Sequence, residues 1–216
     1  MRYLSIVLEK LESRKQVNLK NYGDSNWKDK VTAIGGKAIT YDAIGNPLTY
    51  DGWTFTWKAG RMLASMVKTG TNAQFTYDHN GLRIKKVVNG VTTNYTLNGK
   101  NVVHMTQGSH DLHFFYDAQG KPGMVTYNDV DYFYVYNLQG DVVALIDANG
   151  TQVVEYGYDA WGNPISKSGS MVVTLGTENL FRYREYVYDE ETKLYYNKEC
   201  GIDGEKSLNE VKGELK

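Results

Sequence analysis

Several side chains in this chain could do chemistry, and each has a plainer use to be weighed against it. His104, His110 and His113 surround Asp111, the mixture of imidazole and carboxylate that binds metals. Metal ligands must converge, however. On a strand His110 and His113 point to opposite faces, and His104 is remote in sequence. They are read as surface histidines near a turn, and neither metal nor cofactor is expected. Cys200 is the single cysteine, so no internal disulfide framework exists. No histidine lies near it in sequence to act as a base, and it is read as an incidental thiol. Gly35-Gly36-Lys37 lacks the spacing and hydroxyl of a phosphate loop and reads as a turn. Arg182 and Arg184 alternate with Phe181 and Tyr183, with Tyr186 beyond, which fits a strand with guanidinium groups packed on rings. Trp53 and Trp57, with Trp161, are candidate platforms for stacking on sugar rings, although a β wall would use the same residues as core.

The most frequent candidate is a phenol beside a carboxylate. Tyr-Asp occurs at Tyr41-Asp42, Tyr50-Asp51, Tyr77-Asp78, Tyr116-Asp117, Tyr158-Asp159 and Tyr188-Asp189. Random placement of the chain's Tyr and Asp gives about one such pair, so the six belong to a repeat. A catalytic pair is set apart by its surroundings, whereas a structural pair is copied. No catalytic residue is therefore assigned. The flanks carry the repeat: YDAIGNP at 41–47, YDHNGLR at 77–83, YDAQGKP at 116–122 and YDAWGNP at 158–164.

These pairs need an element to place them. Tyr packs well on a pleated surface. In Asp-x-x-Gly the Asp bonds its own backbone and the Gly takes positive φ. The repeat residues Tyr41, Asp42, Gly45, Tyr77, Asp78, Gly81, Tyr116, Asp117, Gly120, Tyr158, Asp159 and Gly162 thus read as strand end followed by turn. Gly81, Gly90, Gly99 and Gly108 recur every nine residues, the first three after Asn, which predicts hairpins with strands of about seven residues between turns. Alternation agrees. Trp53, Phe55 and Trp57 share one face, as do Val91, Thr93, Tyr95 and Leu97; Leu82 and Ile84 oppose Arg83 and Lys85. DYFYVYN (131–137) is apolar on both faces and predicts burial on both. Residues 31–196 read as an all-β meander of short antiparallel hairpins forming a curved, open sheet, without a convincing helix.

Composition bounds the rest. A net charge of −1 predicts no nucleic-acid or membrane field. The apolar run Tyr3–Leu8 is too short for a signal peptide or a span, and residues 1–21 read as a short amphipathic helix or cap. Residues 22–164 form the repeat array, 165–197 a distinct segment and 198–216 a polar tail.

The repeats resemble those of the Rhs, or YD-repeat, proteins, which include bacterial polymorphic toxins, wall-associated proteins and animal teneurins. EYGYDAWGNP (155–164) followed by LGTENLFRYREYVYDEETKLYYNKE (175–199) is similar to the Rhs-associated core region. Trp161, Phe181, Arg182, Tyr183, Arg184, Tyr188, Asp189, Tyr195 and Tyr196 carry that motif. The resemblance spans roughly residues 22–197. It implies a piece of a β-hairpin shell that encloses a carboxyl-terminal toxin domain in longer relatives, with further YD repeats or that toxin as partners. It also implies secretion or display at the cell surface, while the missing signal peptide leaves a cytoplasmic location for the chain as it stands. Glu185 and Lys193 replace glycines of the family pattern. After Asn197 the family's Asp-Pro and Gly-Arg-Phe self-cleavage segment does not follow, so that chemistry is carried to no residue. The pattern reads as truncated, and an open sheet of this size is expected to self-associate through its edges. The reading is a shell segment with no activity of its own; the alternative is a cell-surface module binding glycans or a partner protein.

Overall fold

The computed structural model describes residues 20–196. Sixteen strands follow one another in a single antiparallel sheet whose spatial order is the chain order. They are β1 (Lys20–Asn21), β2 (Ala33–Ile34), β3 (Lys37–Tyr41), β4 (Pro47–Tyr50), β5 (Trp53–Lys58), β6 (Met62–Lys68), β7 (Thr71–Tyr77) and β8 (Arg83–Val88). Then come β9 (Val91–Asn98), β10 (Asn101–Gln107), β11 (His110–Tyr116), β12 (Pro122–Tyr127), β13 (Val130–Tyr136), β14 (Val142–Ile146), β15 (Gln152–Tyr158) and β16 (Pro164–Ser168). A one-turn helix α1 (Leu175–Glu178), a 3-10 turn (Tyr183–Glu185) and a hairpin of β17 (Val187–Asp189) and β18 (Leu194–Tyr196) complete the chain. The all-β meander expected from the sequence is the architecture, and the two short helical turns are its only departures among the described residues. The cap expected over 1–21 falls outside those residues up to residue 19, as do the tail and Cys200.

The two rims of the sheet are built differently. At one rim, β3–β4, β7–β8, β11–β12, β13–β14 and β15–β16 are joined by the same turn, begun by Asp42, Asp78, Asp117, Asn137 and Asp159. In each, one side-chain oxygen accepts two backbone N–H groups, two and four residues on, while the glycine N–H returns to the first carbonyl. Asp147 forms the same turn at the other rim, between β14 and β15. The remaining turns of that second rim, between β4 and β15, are two-residue loops such as Asn89-Gly90, whose residues both have positive φ.

Each repeat tyrosine does a second job at its rim. Tyr77, Tyr116, Tyr136 and Tyr158 donate their hydroxyls to backbone carbonyls of the preceding strand, at Leu63, Val102, Pro122 and Val142. Tyr41 does so to Val31, and Trp57 replaces the phenol with its indole N–H, given to Pro47. At each of these residues the ladder to the next strand slips by a bulge. Burial pushes the phenols up, Tyr41 to about 12, so they remain protonated donors at physiological pH.

Tyr50-Asp51 stands outside the Asp-x-x-Gly turns: Asp51 and Gly52 both have positive φ and form a tight hairpin, with Lys37 Nζ 2.6 Å from the carboxylate. Three expectations need correction. In β8 the bulge at Ile84 resets parity, so Arg83 and Lys86 are buried while Lys85 stays out. β13 is buried on one face only, with Phe133 in an outer cross-strand row of Phe115, Met124, Phe133 and Ile146. Residues 181–186 are not a strand, because Arg184 and Glu185 have positive φ.

The inner face carries two core clusters. Phe55, Met66, Ala73 and Phe75 anchor one cluster; Met105, Leu112, Phe114, Val125 and Leu145 anchor a second. Asp117→Ala, which strips two acceptor bonds from one exposed turn, is expected to cost about 1–2 kcal/mol in urea unfolding at unchanged m-value.

Candidate functional site

A hairpin meander touches only its neighbours along the chain, so whatever crosses its inner face decides what that face can do. Here the chain itself crosses. Gly169, at φ +115°, turns residues 169–174 back over β15, where a Cβ would run into the Val153 backbone. The Met171 N–H then bonds the Val153 carbonyl. Tyr156 reaches the Gly176 carbonyl at 3.0 Å, and Tyr134 reaches Asn179 Oδ1 at 2.6 Å. Phe181 is wholly buried with its ring edge-on to Phe114, Tyr116 and Tyr134. Farther on, the Tyr195 hydroxyl bonds the Gly162 carbonyl, and Leu194 joins the core cluster of the earlier strands. Residues 171–196 thus cover the inner face from β15 back toward β3.

Two buried arginines organise this cover. Arg182 is 2% exposed, gives its guanidinium to the carbonyls of Gly176, Asn179 and Phe181, and lies 4.1 Å from the Tyr156 ring centre. Its own carbonyl accepts the Val142 N–H. Arg83, from β8, makes a two-pronged pair with Asp189 at 2.6 and 3.0 Å, and its backbone N–H bonds the Tyr196 hydroxyl. Lys86 adds Asp189 at 3.1 Å and Glu191 at 2.8 Å. Burial alone would raise the Asp189 carboxyl, but Arg83 and Lys86 outweigh it and hold it below the usual range. Burial would lower the Lys86 ammonium, and Asp189 reverses that too. Asp189 therefore differs from the turn-forming aspartates, although its Tyr-Asp pair is the same in sequence.

The fold and this crossing segment match known proteins. The teneurin YD-shell family model matches residues 10–206. The chain belongs to the Rhs/YD-repeat family. It is similar to the tRNA nuclease WapA of Bacillus subtilis strain 168, 38% identical over 178 residues, which is 79% of this chain and 8% of that protein. It is equally similar to the tRNA3(Ser)-specific nuclease WapA of Bacillus spizizenii, at 38% identity with the same coverage. The chain thus spans 8% of the length of these curated relatives. Among solved structures, the Photorhabdus luminescens Tc holotoxin pore superposes with a TM-score of 0.53 at 17% identity, over 72% of this chain and 8% of that one. A crystal structure of TcdB2-TccC3 gives 0.54 at 16%, over 72% and 9%. At these identities the likeness is one of fold.

Within the YD-shell chain the other candidate residues fall as follows. Trp53 is buried and Trp57 packs against the same core cluster, while Trp161 is 69% exposed at a turn tip. Tyr183 packs on the Asp159–Gly162 turn; a Cβ at Gly162 would enter its ring. Tyr188 packs against Tyr195 within the cover, ring centres 4.8 Å apart and planes tilted by 54°. Glu185 and Lys193 both sit at φ +60°, the conformation glycine serves best. His110 faces inward and pairs with Glu178, whereas His104, Asp111 and His113 meet on the outer face. The sequence reading set His104 apart; the β10–β11 register places it directly opposite His113. Alternation places Arg83 outward and singles out neither Lys86 nor Glu191; the two basic side chains of β8 are the signal that could have found them.

Beneath the cover lies a cavity of about 360 Å³, lined by Lys86, Tyr95, Gln107, Glu178, Glu190 and Glu191 among others. Burial raises the Glu178 carboxyl, and His110 only partly offsets it. Asp189→Asn takes the counter-charge from buried Arg83 and leaves Lys86 only Glu191, and is expected to destabilise by about 3–5 kcal/mol. Since the folded carboxyl titrates below its unfolded value, this stabilisation is present above about pH 4 and is lost as pH falls through the folded value. Urea titrations from pH 7 to 3 should show the difference between the native chain and Asp189→Asn narrowing with acid.

Proposed function

We propose that this chain is a wall segment of a YD shell, which in longer relatives encloses or presents a carboxyl-terminal toxin domain, and that it has no enzymatic activity of its own. One observation carries the reading: polar groups on the inner face are spent on holding the crossing segment. The Arg182 guanidinium is taken up by backbone carbonyls, and Asp189 by Arg83 and Lys86. The tyrosine hydroxyls that recur along the rim are bound to carbonyls rather than presented to a substrate. We assign the nuclease named in the WapA relatives to the part of those proteins outside the 8% that this chain matches. Toxin, further repeats and export belong to such a longer assembly.

A second reading, a surface module for glycans or a partner protein, is favoured by one rim. Its turn tips expose Ile44, Leu138 and Trp161. No helix among the described residues is long and apolar enough to cross a membrane.

The test is a chimera. The matching stretch of Bacillus subtilis WapA is replaced by this chain, and the isolated chain is assayed for tRNA cleavage in parallel. Retained protease resistance and nuclease activity in the chimera, with none in the isolated chain, is the expected result. tRNA cleavage by the isolated chain, or a chimera that folds but leaves its nuclease domain open to protease, would overturn the proposal.

A further inference from the structure

The outer face of β10 and β11 carries a cluster that neither the wall nor the crossing segment uses. The register pairs His104 with His113 across the two strands, and their rings stack with centres 4.2 Å apart and planes 12° from parallel. Asp111 stands two residues before His113, hence on the same face, and diagonally across from His104. Both rings turn Nε2 to this one carboxylate: His104 lies 2.9 Å from Oδ2, and His113 2.9 Å from Oδ1. The three ligand atoms all lie within 4.8 Å of one another. The Asp111 backbone is fixed by its N–H bond to Asn128 Oδ1, at 2.9 Å. The three side chains are between 29% and 49% exposed, so the cluster opens to solvent.

We propose that His104, Asp111 and His113 form an open three-ligand site for one borderline first-row divalent cation, with Zn2+ as the reference ion. Two imidazole nitrogens and one carboxylate oxygen suit Zn2+, Ni2+ or Cu2+. Ca2+ and Mg2+ demand more oxygen ligands than three such residues offer. A tetrahedral ion with ligands at about 2.1 Å holds neighbouring ligand atoms about 3.4 Å apart, so each 2.9 Å contact has to open by about half an ångström and the two stacked rings have to tilt to bring both Nε2 atoms onto one ion. On binding, each imidazole takes the Nδ1–H tautomer and turns its Nε2 lone pair to the ion, and the carboxylate exchanges two hydrogen bonds for one coordination bond. The bound ion clips β10 to β11 at mid-strand. Its fourth position stays open to water or to a donor from a second surface, the pattern of an exchangeable rather than a sealed structural site. The proposal stands apart from the shell reading, because these residues face away from the enclosed side.

The experiment is calorimetric titration of Zn2+ into the full chain carrying Cys200→Ser, so that the thiol cannot compete. One ion per chain is expected, with a rise in thermal midpoint on binding and no saturable response to Mg2+ or Ca2+. His104→Ala and His113→Ala should each weaken Zn2+ binding about tenfold or more, while His79→Ala leaves it unchanged. His113→Gln, which keeps the volume, guards against a folding defect and is expected to weaken binding as well. Absence of saturable Zn2+ binding would overturn the proposal and leave a carboxylate-bridged histidine pair. So would binding that survives loss of His104 and His113, or an equal response to Mg2+.

Discussion

Asp189 can stay charged in the interior only because Arg83 and Lys86 reach it from a strand more than a hundred residues earlier in the chain. Three charges taken out of water are costly unless each has its partner, so this cluster specifies position more than it adds stability. It ties β17 to β8. Other contacts of the cover tie it to β11, β13, β14 and β15 through Phe181, Asn179, Arg182 and Gly176. Without them the sheet would be a one-dimensional array in which each hairpin knows only the next. With them, strands far apart in the array share one set of contacts, and the curvature of the sheet is fixed from inside.

The rims supply the complementary constraint. Long Asp-led turns gather along one edge, with tyrosine hydroxyls stapling β7, β11, β13 and β15 to their preceding strands, whereas two-residue turns dominate the other. Every staple coincides with a bulge, and bulges bend strands and add twist. A repeated bulge on one rim is a means of curving a wall in one sense.

Much of this was legible in the residues. Asn-Gly and Asp-x-x-Gly announced the turns, and period-two alternation announced which faces of β5 and β9 are buried. What escaped were features set by pairing rather than by local pattern. The bulge at Ile84 turns Arg83 inward against a simple alternation count, and a register between two strands brings His104 to His113. Asp189 looks like any other aspartate of the repeat because its role depends on residues far away in sequence. Asn137 and Asp147 make the repeat turn without the Tyr-Asp signature, since the turn needs only a side-chain oxygen and a later glycine. Glu185 and Lys193 show the reverse, a backbone shape held at φ +60° without the residue that favours it.

The central claim is that the crossing segment and the strands beneath it are one cooperative unit. Hydrogen exchange read by mass spectrometry on Phe181→Ala tests it most directly, because that ring lies among Phe114, Tyr116 and Tyr134 of the sheet. Truncating a fully buried phenylalanine costs about 3–5 kcal/mol. The account predicts that amides of β11–β15 lose protection together with those of residues 175–196. Loss confined to the crossing segment, with the strands as protected as before, would contradict it.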